Sequence, residues 1–197
     1  MKIKYNAPVI LSFALCSTAV VLIGQIVGYQ FVLRFFSVPG SGEGFRFLSL
    51  NMPRLVSHAI GHSGWAHLLG NFTFILLIGP ILEEKYGSGP LFLMMVVTAL
   101  ATGILNVLFF PSGLMGASGI VFMLILLISF TNIKVGEIPL TFILVVLLFL
   151  IKEILNMFES NNISESAHIL GGLFGALFGF LFRKRNGEIH PRAEPGV

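Results

Sequence analysis

The chain has 197 residues, of which 55% are hydrophobic and only 11% charged; with a mean hydropathy of +0.93, an ordinary soluble domain is excluded and a membrane protein remains. The net charge of +3 and the pI near 9.2 do not point to nucleic acid, because the basic residues flank apolar runs and accompany no binding motif. Its one cysteine, Cys16, excludes an internal disulfide, and its nine acidic residues are all glutamate, which excludes a Ser-His-Asp triad.

A helix needs roughly 20 apolar residues to cross a ~30 Å hydrocarbon core. Six segments answer to that ruler, at about 8–33, 63–81, 90–110, 117–132, 138–157 and 166–182. The first is too long for the apolar region of a secretory signal and is followed by no small-residue cleavage site, so it is expected to remain as a span. Cys16 within it reads as a small lipid- or core-facing residue. Between the first two segments, 34–57 combines breakers such as Pro39, Gly40 and Pro53 with Phe35, Phe36, Phe45 and Phe47. So apolar a connection belongs in the interface, half-submerged, rather than in water. Lys2, Lys4, Lys85, Lys134, Arg183, Lys184, Arg185 and Arg192 fall on one side, against Arg34, Arg46, Arg54 and Lys152 on the other. The bias puts both termini and the short basic tail 183–197 in the cytoplasm and requires an even number of spans. The expected fold is all-α, one polytopic membrane domain over 1–197.

The fourth segment has only about 15 helical residues, roughly 22 Å, so it is expected to start below the outer surface near Ser118. The backbone at 109–116 must then dip into the membrane, which is tolerated only where protein or water satisfies its amides, and a water-filled cavity at that depth is the implied feature.

Ser118 lies in Gly116-Ala117-Ser118-Gly119. Small neighbours expose a hydroxyl there, and the unpaired N–H groups of a helix start could hold an oxyanion; the same residues could equally serve close helix packing. The pattern is not the Gly-x-Ser-x-Gly elbow of soluble hydrolases. His168 follows Ala167 near the start of the sixth segment, at the depth expected for Ser118, and an ionisable residue inside a span points to function. Gly171, Gly175 and Gly179 recur on its face and invite close packing of a partner helix, for which the fourth segment is the natural candidate. His58, His62, His67 and Asn71 follow at spacings of four, five and four. His67 and Asn71, one turn apart, could donate to an oxyanion, while His58 and His62 could be structural. A shared metal is the competing reading, weakened because position 59 of the His58–His62 pair is alanine where a metalloprotease has its glutamate. Glu83, with Glu84 and Lys85, closes the second segment either as a solvated turn or as a carboxylate satisfying helix-end amides.

Together these residues resemble the rhomboid family of intramembrane serine proteases in its minimal six-span bacterial form, over roughly 8–183. The resemblance rests on His67-x-x-x-Asn71, on Gly116-Ala117-Ser118-Gly119 and on Ala167-His168-x-x-Gly171-x-x-x-Gly175, in order on the expected spans. It implies a six-helix bundle with a half-submerged first loop. It makes Ser118 the nucleophile, His168 the general base, and His67, Asn71 and the Ser118 N–H the oxyanion hole. Arg54 matches the arginine of the family's submerged loop, Glu83 its structural acid, and Phe122 the aromatic position, usually tyrosine, on which the imidazole packs. Pro53 departs from the family, where many members have tryptophan. The resemblance further implies transmembrane protein substrates entering between spans two and five, past Phe142, Leu148 and Phe149. It implies no cofactor, metal or nucleic acid, and a bacterial inner membrane with the site opening outward. A noncatalytic rhomboid-like chaperone would be expected to lack the serine or histidine; a transporter would show an internal repeat, and none is seen.

Overall fold

A computed structural model of the chain describes residues 4–47, 49, 51–130, 140, 143–144, 146–148, 151 and 165–182. Among them the structure is helical, with one isolated antiparallel bridge between Val38 and Leu114. The helices are α1 (Pro8–Val27), α2 (Tyr29–Phe35), α3 (Arg54–Ser57) running into a 3-10 turn (His58–Ile60), α4 (Trp65–Tyr86), α5 (Ser88–Phe109), α6 (Ser118–Phe130) and α7 (Glu165–Leu181). Three of them, α1, α4 and α5, are long and apolar enough to cross a membrane, while α6 and α7 are shorter apolar helices. Much of the fifth anticipated span, 138–157, with its contact residues Phe142 and Phe149, lies outside the described residues; those described within it are helical, and Leu148 is exposed.

The anticipated first segment, 8–33, is two helices rather than one. Gly28 sits at φ 112° and ψ 148°, a conformation that side-chain-bearing residues avoid. The chain turns there so that Val32 of α2 lies against α1: a Cβ on Gly24 would fall 2.5 Å from Val32 Cγ2. Hydropathy is blind to this break because both flanks are equally apolar.

The inner framework is set by α4. Ile10, Ile75, Leu82, Leu91, Met94, Met123, Leu124 and Leu127 are almost fully buried where α1, α4, α5 and α6 meet. Leu69, Leu77, Phe92, Leu173 and Phe180 are exposed; in a bilayer such side chains face lipid at no cost, so helix association depends on close packing and polar contacts. At Gly79 the approach of α1 is close, since a Cβ would meet Ile10 Cδ1 at 2.6 Å. One helical turn on, Glu83, buried on α4, accepts from the N–H groups of Val9 and Ile10, each at 3.0 Å, and from Ser88 Oγ at 2.7 Å. Pro8 has no N–H to satisfy and Leu11 N–H already reaches Ala7 O, so this one carboxylate caps the start of α1. The helix-end reading of Glu83 therefore describes it, not the solvated-turn reading.

The connection from α2 to α4 is anchored by polar contacts. Arg54 Nε donates to Ser37 O at 2.6 Å and Nη2 to Leu33 O at 3.3 Å, while Ser57 Oγ donates to Phe35 O at 2.7 Å. Together they satisfy carbonyls left open where α2 ends. Gly103 lets α3 approach the α5 backbone: a Cβ there would lie 2.5 Å from Leu55 O. The stretch before α6 is likewise satisfied by protein. Val38 and Leu114 exchange N–H···O bonds of 2.9 and 2.8 Å, Ser41 N–H reaches Phe110 O, and Gly116 N–H donates to His58 O at 2.9 Å. Asn106 Nδ2 donates to Ser112 O at 2.9 Å and Pro39 O at 3.3 Å, tying both loops to the end of α5.

Candidate active site

The site is organised around the start of α6. Ala117 is fully buried and its carbonyl accepts the Val121 N–H at 2.9 Å. Ser118 is thus the first residue of the helix, half-buried, among first-turn N–H groups that have no partner within their own helix. Gly116 precedes it at φ 122°. A Cβ at Gly116 would stand 2.7 Å from both Cε1 and Nε2 of His67 and 3.7 Å from Asn71 Nδ2. Only glycine combines that backbone conformation with so close an approach.

His67 and Asn71 come from the first two turns of α4 at i, i+4, which stacks them on one face. Ser63 lies against His67 Nδ1, its Oγ at 3.2 Å and its backbone N–H donating at 3.5 Å. With Nδ1 accepting, the proton belongs on Nε2, the nitrogen beside Gly116. Asn71 is 9% exposed, and its Nδ2 has no hydrogen-bond partner among the described residues. A buried amide left open is costly unless something else accepts from it. Two N–H donors therefore converge beside the backbone that leads into Ser118.

His168 is brought in by α7, which packs principally on α6. Gly119 faces Ala167, a Cβ there lying 3.2 Å from Ala167 O, and Gly171 faces Gly119 in return. Further along, Gly175 lies against Met123 and Leu126, and Gly179 against Phe130, with a Cβ at 2.6 Å from the Phe130 ring. The matched positions rise together in both helices, so α6 and α7 run parallel and start at the same level. Ser118, one residue before Gly119, and His168, one after Ala167, thereby share a level. The His168 imidazole, 6% exposed, packs on Phe122 with ring centroids 4.5 Å apart. Phe122 in turn stands one helical turn beyond Ser118.

The other two histidines part company. His58 is buried and turned to α5, its Nε2 3.0 Å from Ala99 O, while its carbonyl holds Gly116. Burial pushes its imidazole down to about 4, partly offset by hydrogen bonds to Ala99 and Leu55 carbonyls. His62 lies beside the site, with Nδ1 3.3 Å from Ile60 O and its ring edge-on to His67 at 5.0 Å; burial, then the proximity of His67, lowers it too. Of the four residues at spacings of four, five and four, His67 and Asn71 lie beside Gly116, His62 packs edge-on to His67, and His58 faces α5. Ser63 and Asn106 had drawn no attention in the sequence. Asn106, an amide inside an apolar run, carried a usable signal; Ser63 carried none.

A profile of the Rhomboid domain matches residues 49–185. The chain belongs to the rhomboid family. It is 27% identical over 180 residues to rhomboid protease GlpG of Pectobacterium atrosepticum, covering 88% of this chain and 62% of that protein. Against rhomboid protease GlpG of Serratia proteamaculans it is 29% identical over 174 residues, covering 85% and 59%. With RHOMBOID-like protein 4 of Arabidopsis thaliana it shares 32% over 161 residues, covering 79% of this chain and 39% of that protein. The chain thus spans about three fifths of the length of the bacterial relatives.

Proposed function

We propose that this rhomboid chain is an intramembrane serine endopeptidase that hydrolyses peptide bonds in or near the transmembrane segments of other membrane proteins through a Ser118–His168 dyad. His168 takes the proton of Ser118 Oγ as the oxygen attacks the scissile carbonyl carbon. The oxyanion accepts hydrogen bonds from His67 Nε2–H, Asn71 Nδ2–H and the Ser118 N–H. As the tetrahedral intermediate collapses, the C–N bond breaks and His168 returns its proton to the departing amine. Water, activated by the same imidazole, then attacks the acyl-serine and regenerates the hydroxyl. No third residue is invoked: packing on Phe122 orients the imidazole, and the chain has no aspartate to complete a triad.

The observation that carries this reading is the crowding of His67 and the open Asn71 amide against Gly116, two residues before Ser118, together with the packing of His168 on Phe122, one helical turn after it. Arg54, Glu83, Gly119, Gly171 and Gly175 support the geometry without touching substrate. We place the protein in a bacterial inner membrane as a six-span bundle with a half-submerged first loop. Its termini are cytoplasmic and the site opens outward, as the distribution of Lys and Arg argues. A substrate helix hides its carbonyls in its own hydrogen bonds, so segments with small or helix-weakening residues near the outer face are favoured. They enter between α4 and the fifth span.

The test is cleavage of a labelled spanning substrate by the purified protein in liposomes. Wild type cuts, whereas Ser118→Ala and His168→Ala each lose activity by more than about a thousandfold. Cleavage that survives either change refutes the dyad.

A further inference from the structure

A groove of about 780 Å³ lies between α1 and α5, outside the candidate active site. Phe13 and Cys16 line one wall and Phe92 and Val96 the other, with Ile120 of α6 behind them. Its roof is the end of α3 and the 3-10 turn, through Val56 and Ile60. We propose that this groove binds one acyl chain of a membrane phospholipid, held under the first loop with its phosphate at the cytoplasmic mouth.

Depth selects the ligand. His58 Nε2 on Ala99 O and Leu55 against Gly103 fix the roof at the level of Ala99 to Gly103. The groove follows α5 from Ser88 to Ala99, eleven residues and therefore about 16 Å. That is one leaflet, half of a ~30 Å hydrocarbon core. A second spanning helix would collide with the roof midway, so a transmembrane partner does not fit. Water gains nothing in a space lined this way, since apolar cavities stay dry. An acyl chain of the inner leaflet has the required length and chemistry.

The mouth supplies the other half of the argument. Tyr5 OH and Ser12 Oγ lie 3.0 Å apart at the start of α1. Lys4 precedes them and is exposed, and the start of α1 just beyond is held by Glu83 through Val9 and Ile10. The hydroxyls and the Lys4 ammonium there match a phosphodiester. The inner position of this mouth agrees with the charge bias of the sequence.

The test uses the Ser118→Ala protein in bilayer discs, so that it is independent of the protease reading. A phospholipid bearing a diazirine at its acyl terminus is photolysed and its adducts mapped by mass spectrometry. Adducts concentrated on Val56, Ile60, Val96 and Ile120 are the expected result. Adducts spread evenly over exposed residues such as Leu77 and Leu173 overturn the proposal. Val96→Trp fills the groove and is expected to lower those adducts about tenfold; unchanged labelling in a folded Val96→Trp protein also overturns it. A third readout needs no variant: alkylation of Cys16 by a membrane-permeant maleimide is expected to slow when detergent-solubilised protein is supplied with phospholipid. An unchanged rate counts against the site.

Discussion

The two ends of α4 bury polar groups in opposite ways. At the C-terminal end the Glu83 carboxylate is buried and every oxygen is used, bound to two backbone N–H groups and a hydroxyl. At the N-terminal end Asn71 is buried with its amide nitrogen open, beside an imidazole whose other nitrogen is already engaged by Ser63. A satisfied buried group stabilises the fold; an open one costs stability and leaves a donor available. One helix thus carries a fully satisfied scaffold contact at its C-terminal end and the open donor of the candidate site at its N-terminal end.

That contrast yields predictions that separate activity from stability. The largest effect is expected from Asn71→Ala or His67→Ala: kcat falls by about 10²–10³, while thermal unfolding in detergent is little changed. A comparable loss of Tm would instead make the N-terminal end another scaffold. Gly171→Val is expected to separate α6 from α7, because its side chain would strike the Gly119 carbonyl. Overpacking of that kind costs about 1–3 kcal/mol and removes activity together with cooperative unfolding. Glu83→Ala should lower stability by about 1–3 kcal/mol by orphaning two N–H groups at the start of α1. Activity per folded molecule should persist, which denaturant titration alongside substrate turnover would check.

The smallest effect is the pH dependence of His58. Its folded-state value is depressed by burial, so the unfolded chain binds the proton more readily. Stability is then fully present above about pH 6.5 and is lost as pH falls toward the folded value of about 4. The slope is at most about 1.4 kcal/mol per pH unit. A His58→Gln protein, compared by thermal melts at pH 5 and pH 7.5, should lose this part of the slope.

Much of the site was legible in sequence because membranes make its signals loud. A histidine in an apolar run, glycines every four residues and a serine among small residues are all expensive or conspicuous in lipid. The start of α6 at Ser118 followed from the same constraint on unpaired amides, but the pairing of Leu114 with Val38 and of Gly116 with His58 before it did not. What escaped was geometry that hydropathy does not encode. Gly28 breaks the first segment through a dihedral angle, Val38 pairs with Leu114 across 76 positions of chain, and Ser63 orients His67 from a loop. The spacing of the polar residues from His58 to Asn71 marked His67 and Asn71 as a pair one turn apart, but it did not show that His58, in the 3-10 turn before α4, bonds to Ala99 of α5.

The most direct test of the central claim is chemical. A fluorophosphonate reacts with an activated serine, and its adduct can be assigned by peptide mass mapping. A single adduct on Ser118, suppressed in His168→Ala and unaffected in Glu83→Ala, is the predicted outcome. Labelling that persists in Ser118→Ala, or an adduct on any other serine, would contradict the assignment of Ser118 as nucleophile.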